Sequence, residues 1–371
     1  MKVLNISLDK KIFEKDSVVR RRQADLASFS EEFHVLALKN GRDEKILPNF
    51  WIYGLKNKNK ISRFFEALKK AGKIIKERKI DLVITQDPFF TGMLGWLLKR
   101  KFKIFWQAQI HTDFLSSYFW RESFLNKIRV ILAKFLLPRA DGLRVVSKRI
   151  VKSLKKAEIK LKSEPAILPI FVDVQKIKET SAKENLRQKY PQFDFLILMA
   201  SRLAREKNIG LAIESLAEII KEYPRTGLII VGSGAEEKNL KEKIEKLKLE
   251  KNVILEPWRE DLISYFKTAD LFLLTSNYEG YAMAVVEAMA ADLPVLMTEV
   301  GCAGEIVEDG KNGLVTPVGD KESLVLAIFK ILDSKDLSRE LVLGAKETIL
   351  EWGNYENYLE KYKNLFEDCL K

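Results

Sequence analysis

Short apolar runs alternate with longer amphipathic stretches along almost the whole chain. Runs rich in Val, Ile and Leu and closed by turn residues are typical of buried parallel strands, and apolar residues at helical spacing predict helices that pack on them. The predicted strands are 3–8, 35–38, 82–85, 103–107, 141–147, 195–199, 228–231, 253–255, 271–275 and 295–297.

Helices are predicted between most of these strands. The alternation of the two elements favours an α/β protein with parallel, doubly wound sheets. The predicted helices are 16–29, 61–79, 124–137, 176–190, 207–222, 235–248, 261–268, 285–291, those that follow Lys321, and 355–370.

The pattern changes near 169–173, where a Pro-containing segment leads into a new polar helix. A chain of 371 residues is long for one core and comfortable for two domains. We therefore predict an N-terminal domain over 1–171 and a C-terminal domain over 172–352.

The net charge of +12 is distributed unevenly. Residues 1–170 carry 37 Lys and Arg against 17 Asp and Glu, whereas the remainder carries 27 against 35. The basic half predicts contact with a polyanion, either nucleic acid or an anionic membrane surface. No recognisable nucleic-acid motif accompanies the charge, so we expect no nucleic-acid partner.

The sequence predicts a cytoplasmic protein. No apolar run is long enough to span a bilayer, and the first residues become polar too soon for a signal peptide. The two cysteines, Cys302 and Cys369, give neither a disulfide framework nor a metal-ligand spacing, so no metal site is expected.

Two glutamates, Glu279 and Glu287, lie where strand 271–275 passes into helix 285–291. In open α/β sheets this carboxyl edge is where ligands bind. One carboxylate can accept hydrogen bonds from sugar hydroxyls and the other can hold a ribose diol. Glutamates near a helix start can also serve only the helix dipole.

Two cations follow strand 195–199. Arg202 offers a planar fork for phosphate oxygens and Lys207 a compact charge, so together they can hold one diphosphate, although solvated surface charges are the alternative. Gly232 and Gly234 form a turn between a strand and a helix. These glycines either let the backbone approach a nucleotide or serve only to make the turn tight.

These segments together resemble a known family. Residues 276–290 resemble the E-x7-E motif of the retaining glycosyltransferases of family 4, the group 1 glycosyl transferases, and 200–208, 231–237 and 301–315 are similar to further segments of that family in the same order. The resemblance implies a GT-B fold, with two Rossmann-like doubly wound domains facing a central cleft. It also implies that the final helix, within 353–371, crosses back to the N-terminal domain.

The activity implied by the resemblance is that of a metal-independent, retaining hexosyltransferase. It would use a UDP- or GDP-linked sugar as substrate and need no cofactor. Its catalytic residues would be His111, Arg202, Lys207 and Glu279, and its donor-binding residues Gly232, Gly234, Gly280, Tyr281, Ala282, Met283 and Glu287.

The acceptor side departs from the family, because the loop after the first strand, 8–22, contains no glycine. Arg20, Arg21 and Arg22 could bind an acceptor phosphate or form a solvated basic helix face. The resemblance implies a glycan or lipid-linked acceptor in cell-envelope or exopolysaccharide synthesis. The amphipathic stretch 61–79 and the aromatic segment 114–121 predict docking of the basic half on the inner face of an anionic membrane.

Other functions fit the same architecture. A nucleotide-sugar epimerase or phosphorylase would share the fold, but an epimerase needs additional acid–base side chains, and this chain has only 2 histidines. A non-catalytic scaffold is the remaining alternative, which the presence of Arg202, Lys207, Glu279 and Glu287 disfavours.

Overall fold

The computed structural model describes residues 1–57 and 59–371. These residues divide into two compact units: unit 1 comprises 1–169 and 354–371, and unit 2 comprises 170–353. The division lies next to the domain boundary that the sequence predicts. No helix in the described part of the chain is both long and apolar enough to cross a membrane.

Unit 1 is built on an eight-stranded sheet of order β3-β4-β2-β1-β5-β6-β7-β8. Its pairs are parallel except for the antiparallel hairpin of β3 and β4. Strand order reverses between β1 and β5, so a ligand crevice is expected at the carboxyl ends of these two strands. The strands are β1 Lys2–Ser7, β2 Glu32–Asn40, β3 Glu44–Leu47, β4 Phe50–Leu55, β5 Leu82–Thr85, β6 Phe105–Ile110, β7 Gly142–Val145 and β8 Ala166–Ile167.

The helices of unit 1 connect these strands. Of these, α2 packs against α3, and α3 packs against α5, so the three share one layer on the sheet. The helices are α1 Val18–Ala27, α2 Lys60–Arg78, α3 Phe90–Phe102, α4 Ser117–Glu122, α5 Phe124–Leu136 and α6 Lys148–Lys156.

Unit 2 has a six-stranded, fully parallel sheet of order β11-β10-β9-β12-β13-β14. The order reverses between β9 and β12, whose carboxyl ends define the expected crevice of this unit. The strands are β9 Phe195–Ala200, β10 Thr226–Val231, β11 Val253–Glu256, β12 Leu271–Leu274, β13 Val295–Thr298 and β14 Leu314–Thr316; the helices are α7 Val174–Glu179, α8 Leu186–Lys189, α9 Ile209–Ile219, α10 Glu237–Lys246, α11 Ile263–Thr268, α12 Met283–Ala290, α13 Lys321–Asp333 and α14 Lys335–Leu350.

The predicted helix 176–190 is wrong in one respect: the structure has the short helices α7 and α8 with an irregular link between them. Backbone N–H groups of the link are satisfied from outside, because those of Lys183 and Leu186 donate to the hydroxyls of Ser264 and Thr268, at 2.8 and 3.2 Å. Tertiary hydrogen bonds therefore replace the helical ones that local propensity favours.

The last helix, α15 (Tyr355–Asp368), belongs to unit 1. It is held by the buried guanidinium of Arg144 in β7, which donates to the hydroxyl of Tyr362 at 2.9 Å and to that of Tyr358 at 3.4 Å. The same guanidinium donates to the carbonyls of Leu168 and Pro169, at 3.0 and 3.1 Å. One side chain thus joins the final helix to the last residues of unit 1 before the chain enters unit 2.

Candidate active site

The loops that follow β9 and β12 meet at the carboxyl edge of the unit 2 sheet. Lys207 Nζ and Glu279 Oε1 form an ion pair at 2.5 Å, and Ser276 Oγ donates to the same carboxylate oxygen at 2.7 Å. The Lys207 and Glu279 side chains are only 15% and 12% exposed. Two residues that lie in separate loops of the sequence therefore form one partly buried charged pair. The pair lies at the switch point of the sheet, where the strand order reverses between β9 and β12.

Backbone contacts fix the position of this pair. The hydroxyl of Thr275 donates to the carbonyls of Lys207 and Asn208, each at 3.0 Å. The N–H of Asn277 donates to the carbonyl of Glu206 at 2.7 Å. Because the loops are joined at three points, the pair is held by the scaffold rather than by its own attraction.

The helices that start at this edge, α9 and α12, lack the usual caps. Their N-cap residues, Asn208 and Ala282, have left-handed backbones with φ of 45° and 72°, and neither makes a side-chain capping bond. The first N–H groups of a helix carry partial positive charge and suit an anion. A glycine at position 282 would adopt this conformation without strain, whereas alanine does so at a cost of about 1–2 kcal/mol.

Glu287 lies on α12, about one turn beyond its start, and is partly buried. Burial raises the pKa of its carboxyl, and no cation among the described residues offsets this effect. Its environment contrasts with that of Glu279, which already holds Lys207. A carboxyl kept desolvated and uncommitted is suited to accept hydrogen bonds from a ligand diol.

Arg202 lies in the same loop as Lys207 but points away from the pair. Its side chain is 74% exposed and forms an ion pair with Glu206 at 2.8 Å. It would need to rotate to reach a phosphate held beside Lys207. The structure thus brings Lys207 and Glu279 together and leaves Arg202 outside their immediate contact.

Gly232 and Gly234 pack directly on the Arg202 loop. A Cβ at Gly232 would lie 1.9 Å from the carbonyl oxygen of Ser201, and one at Gly234 would lie 2.2 Å from that of Leu203. The two glycines therefore bring the β10–α10 turn against the cation-bearing loop. Approach of backbone to a nucleotide remains a prediction for this turn.

The remaining predicted donor residues lie between Glu279 and the first turn of α12. Gly280, Tyr281, Ala282 and Met283 form this short connection, and Tyr281 is buried. Behind it lies Gly301, at φ of 54°, where a Cβ would be 2.7 Å from the carbonyl oxygen of Tyr281. Gly301 allows the two loops to approach, a role that the sequence did not reveal.

Glu256 ends β11 at the carboxyl edge of the same sheet. Its carboxylate accepts from Tyr265 at 2.5 Å, from Lys189 at 2.8 Å and from Tyr190. Burial raises its pKa, but these hydrogen bonds prevail and lower it to about 2. The side chain thus anchors α8 and α11 to the sheet edge and is not available to a ligand.

In unit 1, His111 follows β6 and lies at the carboxyl edge of that sheet. Its Nε2 contacts Gln86 Oε1 at 3.1 Å, and Gln86 Nε2 donates to Asn5 Oδ1 at 2.9 Å. Asn5 Nδ2 in turn donates to Gln23 Oε1 at 2.7 Å. This row of side chains, which we call the amide chain, spans the switch point between β1 and β5.

The orientation of the amide chain assigns a proton position to the histidine. Because Gln86 uses its NH2 group on Asn5, its oxygen accepts a hydrogen bond from the Nε2–H group of His111, which leaves Nδ1 as a hydrogen-bond acceptor. Nδ1 is buried and has no partner among the described residues. Burial, together with the charges of Arg144 and Arg22, lowers the pKa of the imidazole to about 3, so the ring is neutral at physiological pH.

Asp113, two residues after His111, is bound by another element. The Asp113 carboxylate is buried and accepts from Ser153 Oγ in α6 at 3.1 Å. The amides of Gln86, Asn5 and Gln23, which the sequence analysis did not select, lie beside the histidine instead. The only sequence signal for them was the position of Gln86 directly after a buried strand.

The three arginines of α1 do not form one cluster. Arg20 is buried and its guanidinium pairs with Glu44 at 3.0 Å, whereas Arg21 is exposed. Arg22 is the one whose charge acts on His111. The glycine-free loop before this helix makes a 3-10 turn over Lys10–Phe13, capped by Asp9, and none of its residues needs a positive φ.

Comparisons with known proteins agree with this fold. Residues 25–176 match the family model described as "Glycosyltransferase Family 4", and residues 181–348 match "Glycosyl transferases group 1". The two models account for most of unit 1 and almost all of unit 2.

Several relatives align along most of the chain. An uncharacterized glycosyltransferase of Methanocaldococcus jannaschii is 27% identical over 87% of this chain and 83% of its own length. An alpha-monoglucosyldiacylglycerol synthase of Acholeplasma laidlawii is 24% identical over 80% and 77%. A UDP-Gal:alpha-D-GlcNAc-diphosphoundecaprenol alpha-1,3-galactosyltransferase of Escherichia coli is 26% identical over 80% and 78%.

Solved structures share the architecture. A sucrose-phosphate synthase from Thermosynechococcus elongatus superposes with a TM-score of 0.83 at 21% identity, covering 99% of this chain and 98% of that one. HepE of Anabaena, in complex with UDP-glucose, superposes with a TM-score of 0.76 at 20% identity, covering 99% and 98%. At this identity the likeness establishes the fold.

The two Rossmann-like units define a protein of the GT-B class, as the sequence predicts. The chain belongs to the group 1 glycosyltransferases and is a glycosyltransferase enzyme. Both expectations drawn from the resemblance, the family and the fold, are confirmed.

Proposed function

We propose that this protein transfers a hexose from a UDP- or GDP-linked donor to a glycan or lipid-linked acceptor with retention of anomeric configuration. The observation that carries the proposal is the Lys207–Glu279 pair, held at 2.5 Å at the switch point of the unit 2 sheet. Relatives support the substrate classes, because one is named for a UDP-galactose donor and another for a glucosylated diacylglycerol product.

Lys207 and Glu279 take different parts of the donor. When a nucleoside diphosphate enters, its charge competes with Glu279 for Lys207, whose ammonium then stabilises the charge that grows on the leaving phosphate. Glu279 is released to accept hydrogen bonds from sugar hydroxyls. The open N-termini of α9 and α12 add favourable potential for the same phosphates.

Glu287 holds the ribose diol, and Arg202 rotates from Glu206 onto the outer phosphate oxygens. The glycosidic bond from the anomeric carbon to the phosphate oxygen breaks as the acceptor oxygen bonds to that carbon on the same face. The acceptor proton passes to the leaving phosphate oxygen. No enzyme side chain forms a covalent intermediate in this route, which needs no cofactor beyond the donor.

The acceptor belongs to cell-envelope or exopolysaccharide synthesis, and the protein acts at the cytoplasmic face of the membrane as a peripheral enzyme. The basic excess of the first half supports this placement. His111 presents a neutral acceptor nitrogen on unit 1 for a substrate hydroxyl. Because the imidazole is already neutral at physiological pH, its Nδ1 can accept this hydrogen bond without a change in protonation.

Donor binding and donor turnover test the proposal directly. UDP, GDP and their hexose conjugates are compared for thermal stabilisation, since a ligand that binds the native state raises its stability by mass action. Glu287→Gln should weaken binding of the stabilising nucleotide by about tenfold, a loss of the size expected for one hydrogen-bonded group. Lys346→Met is the matched control, because Lys346 pairs with Asp292 at 3.1 Å elsewhere in unit 2.

The anomeric configuration of the product, read by NMR, tests retention. Donor interconversion without acceptor would identify an epimerase, and phosphate-dependent cleavage a phosphorylase. Failure of every nucleotide to stabilise the protein would contradict the donor assignment.

A further inference from the structure

Helix α5 presents a row of large apolar side chains to solvent. Phe124, Ile128, Ile131 and Phe135 recur at helical spacing, and their exposed fractions are 77%, 46%, 62% and 43%. We call these four residues the α5 stripe. The opposite face of the helix is the one that packs on the unit, through Asn126, Val130, Ala133 and Leu136.

The preceding helix extends the stripe. In α4, Tyr118 and Trp120 are exposed, as is Leu125 at the start of α5. A surface helix normally keeps its outer face polar, and a contiguous exposed apolar patch indicates an interaction site. Amphipathic aromatics such as Trp120 favour the boundary between water and lipid.

Cations surround the stripe. Residues 117–139 contain five Lys and Arg residues against the single acidic Glu122. A helix that combines large apolar side chains with flanking Lys and Arg is typical of one lying in the interface of an anionic bilayer. The five cations are Arg121, Lys127, Arg129, Lys134 and Arg139.

A basic cavity of about 790 Å³ lies at the end of the stripe. Arg139 stacks on the ring of Phe135 at 3.7 Å, and Arg100 lies over Trp96 at 5.3 Å. Lys103 also lines this cavity, whose only acidic lining residue among those described, Asp141, is already paired with Lys99 and Lys162. The surplus cations suit a headgroup phosphate, while the rings suit the apolar layer below it.

The stripe links this cavity to the edge where His111 lies. Since α5 follows β6 and precedes β7, it runs antiparallel to the strands, from the carboxyl edge at Phe124 to the amino edge at Phe135. Helix α2 lies in the same layer of helices. Within the predicted docking helix 61–79, the structure leaves only two large apolar residues exposed, Ile61 and Phe65.

We propose that α4, the α5 stripe and the basic cavity form one docking surface for an anionic lipid bilayer. The inference rests on the proposed lipid-linked acceptor and names the surface that would bring unit 1 to it. A second copy of the chain is disfavoured because two such basic surfaces repel, and nucleic acid gives no reason for an exposed apolar row.

The test is co-sedimentation of the full chain with vesicles of phosphatidylglycerol mixed with phosphatidylcholine, against phosphatidylcholine alone. The triple variant Phe124→Ser/Ile128→Ser/Ile131→Ser should lose binding by roughly a thousandfold or more, since each buried large side chain is worth about tenfold or more. Arg100→Gln/Lys103→Gln should weaken binding by about fivefold per charge and reduce the salt dependence.

A matched control removes exposed leucines elsewhere. Leu326→Ser/Leu343→Ser/Leu350→Ser changes three side chains of unit 2 whose exposed fractions, 61%, 60% and 75%, are comparable with those of the stripe, and should leave vesicle binding unchanged. Melting curves of every variant report whether the fold is retained.

Any one of the following outcomes would overturn the proposal. These are absence of binding to the anionic vesicles at low salt, equal loss in the control, and a stripe variant that instead converts a dimer into a monomer by light scattering. Retention on RNA with no binding to vesicles would also overturn it. Nucleotide stabilisation measured on the same preparations separates this failure from failure of the proposed transferase activity.

Discussion

The sheets of both units reverse their strand order at one switch point, but the side chains at the two switch points differ in charge. Between β9 and β12 of unit 2 lies the Lys207–Glu279 ion pair, whereas between β1 and β5 of unit 1 lies the uncharged amide chain that ends on His111. The strand order provides a crevice in both cases, and the loops decide what it can bind.

The difference fits a division of labour within one reaction. A diphosphate carries charge that must be offset, so the residues that bind it must include a cation held in place. A sugar or acceptor hydroxyl is neutral and is better met by fixed dipoles, because an ionised group there would be costly to desolvate. Four measurements would break or sharpen this comparison.

The largest effect is expected from neutralising the charged switch point. Lys207→Met should lower kcat by roughly 10²–10³-fold, the loss typical when one preorganised group that stabilises developing charge is removed. Steady-state kinetics with the stabilising donor measures it, with Lys346→Met as the control. A loss below threefold would place the leaving-group charge elsewhere.

A charge introduced into the neutral switch point should have a smaller, pH-dependent effect. Gln86→Glu places a carboxylate beside Nε2 of His111, which favours the imidazolium and raises its pKa from about 3. We expect activity to fall by about tenfold and to acquire a dependence on pH between roughly 4 and 7.

The 15N shifts of the two histidines provide the direct readout for this variant. His34, paired with Glu32 and Tyr53, serves as the internal reference. The wild-type protein should show His111 as the Nε2-protonated tautomer. Protonation on Nδ1 instead would reverse the direction assigned to the amide chain.

Unit 1 should also lose stability in mild acid because its histidines are held neutral. The pKa of His111 is lower in the native state than its ordinary value of 6.5, so the unfolded chain binds the proton first as pH falls. Stability is therefore intact above pH 6.5 and declines below it, by up to about 1.4 kcal/mol per pH unit for this residue.

Comparing the wild-type protein with His111→Gln by chemical unfolding at pH 7 and 5.5 isolates this contribution. Burial also lowers the pKa of His34, and the His111→Gln variant still contains His34. The variant should therefore keep part of the decrease in free energy of unfolding between pH 7 and 5.5. Identical slopes would show that His111 titrates normally.

The smallest effect concerns backbone strain, which the site loops of unit 2 carry and the first loop of unit 1 does not. Ala282→Gly should raise the free energy of unfolding by about 0.5 kcal/mol, because relief of the left-handed alanine slightly exceeds the added freedom of the unfolded chain. Ala284→Gly, in the first turn of the same helix, should instead destabilise by about 1 kcal/mol. Thermal melts distinguish the two signs.

The sequence was most informative where a charged residue directly follows a predicted strand. The apolar runs located most of the parallel strands, and Lys207 and Glu279 could be chosen because each follows such a strand. Their mutual contact could not be predicted, because it depends on the side-by-side order of β9 and β12, which no local pattern encodes.

Tertiary contacts decide the elements that sequence reasoning missed. The hairpin of β3 and β4 was absent from the prediction because its short strands lack a clear alternation, and helix 176–190 was broken by hydroxyls 80 residues away in sequence. Gln86, Asn5 and Gln23 belong to no sequence motif. They form a hydrogen-bonded row only when β1, α1 and the residue after β5 come together in the fold.

The place of α15 in unit 1 has a consequence for synthesis. Unit 2 lies entirely within 170–353, so all of it emerges from the ribosome before α15 does. Until Tyr358 and Tyr362 arrive, the Arg144 guanidinium lacks two of its hydrogen-bond partners. The domain translated first is therefore the one completed last, and the nascent chain must keep an unfinished, strongly basic half in solution until its final residues emerge.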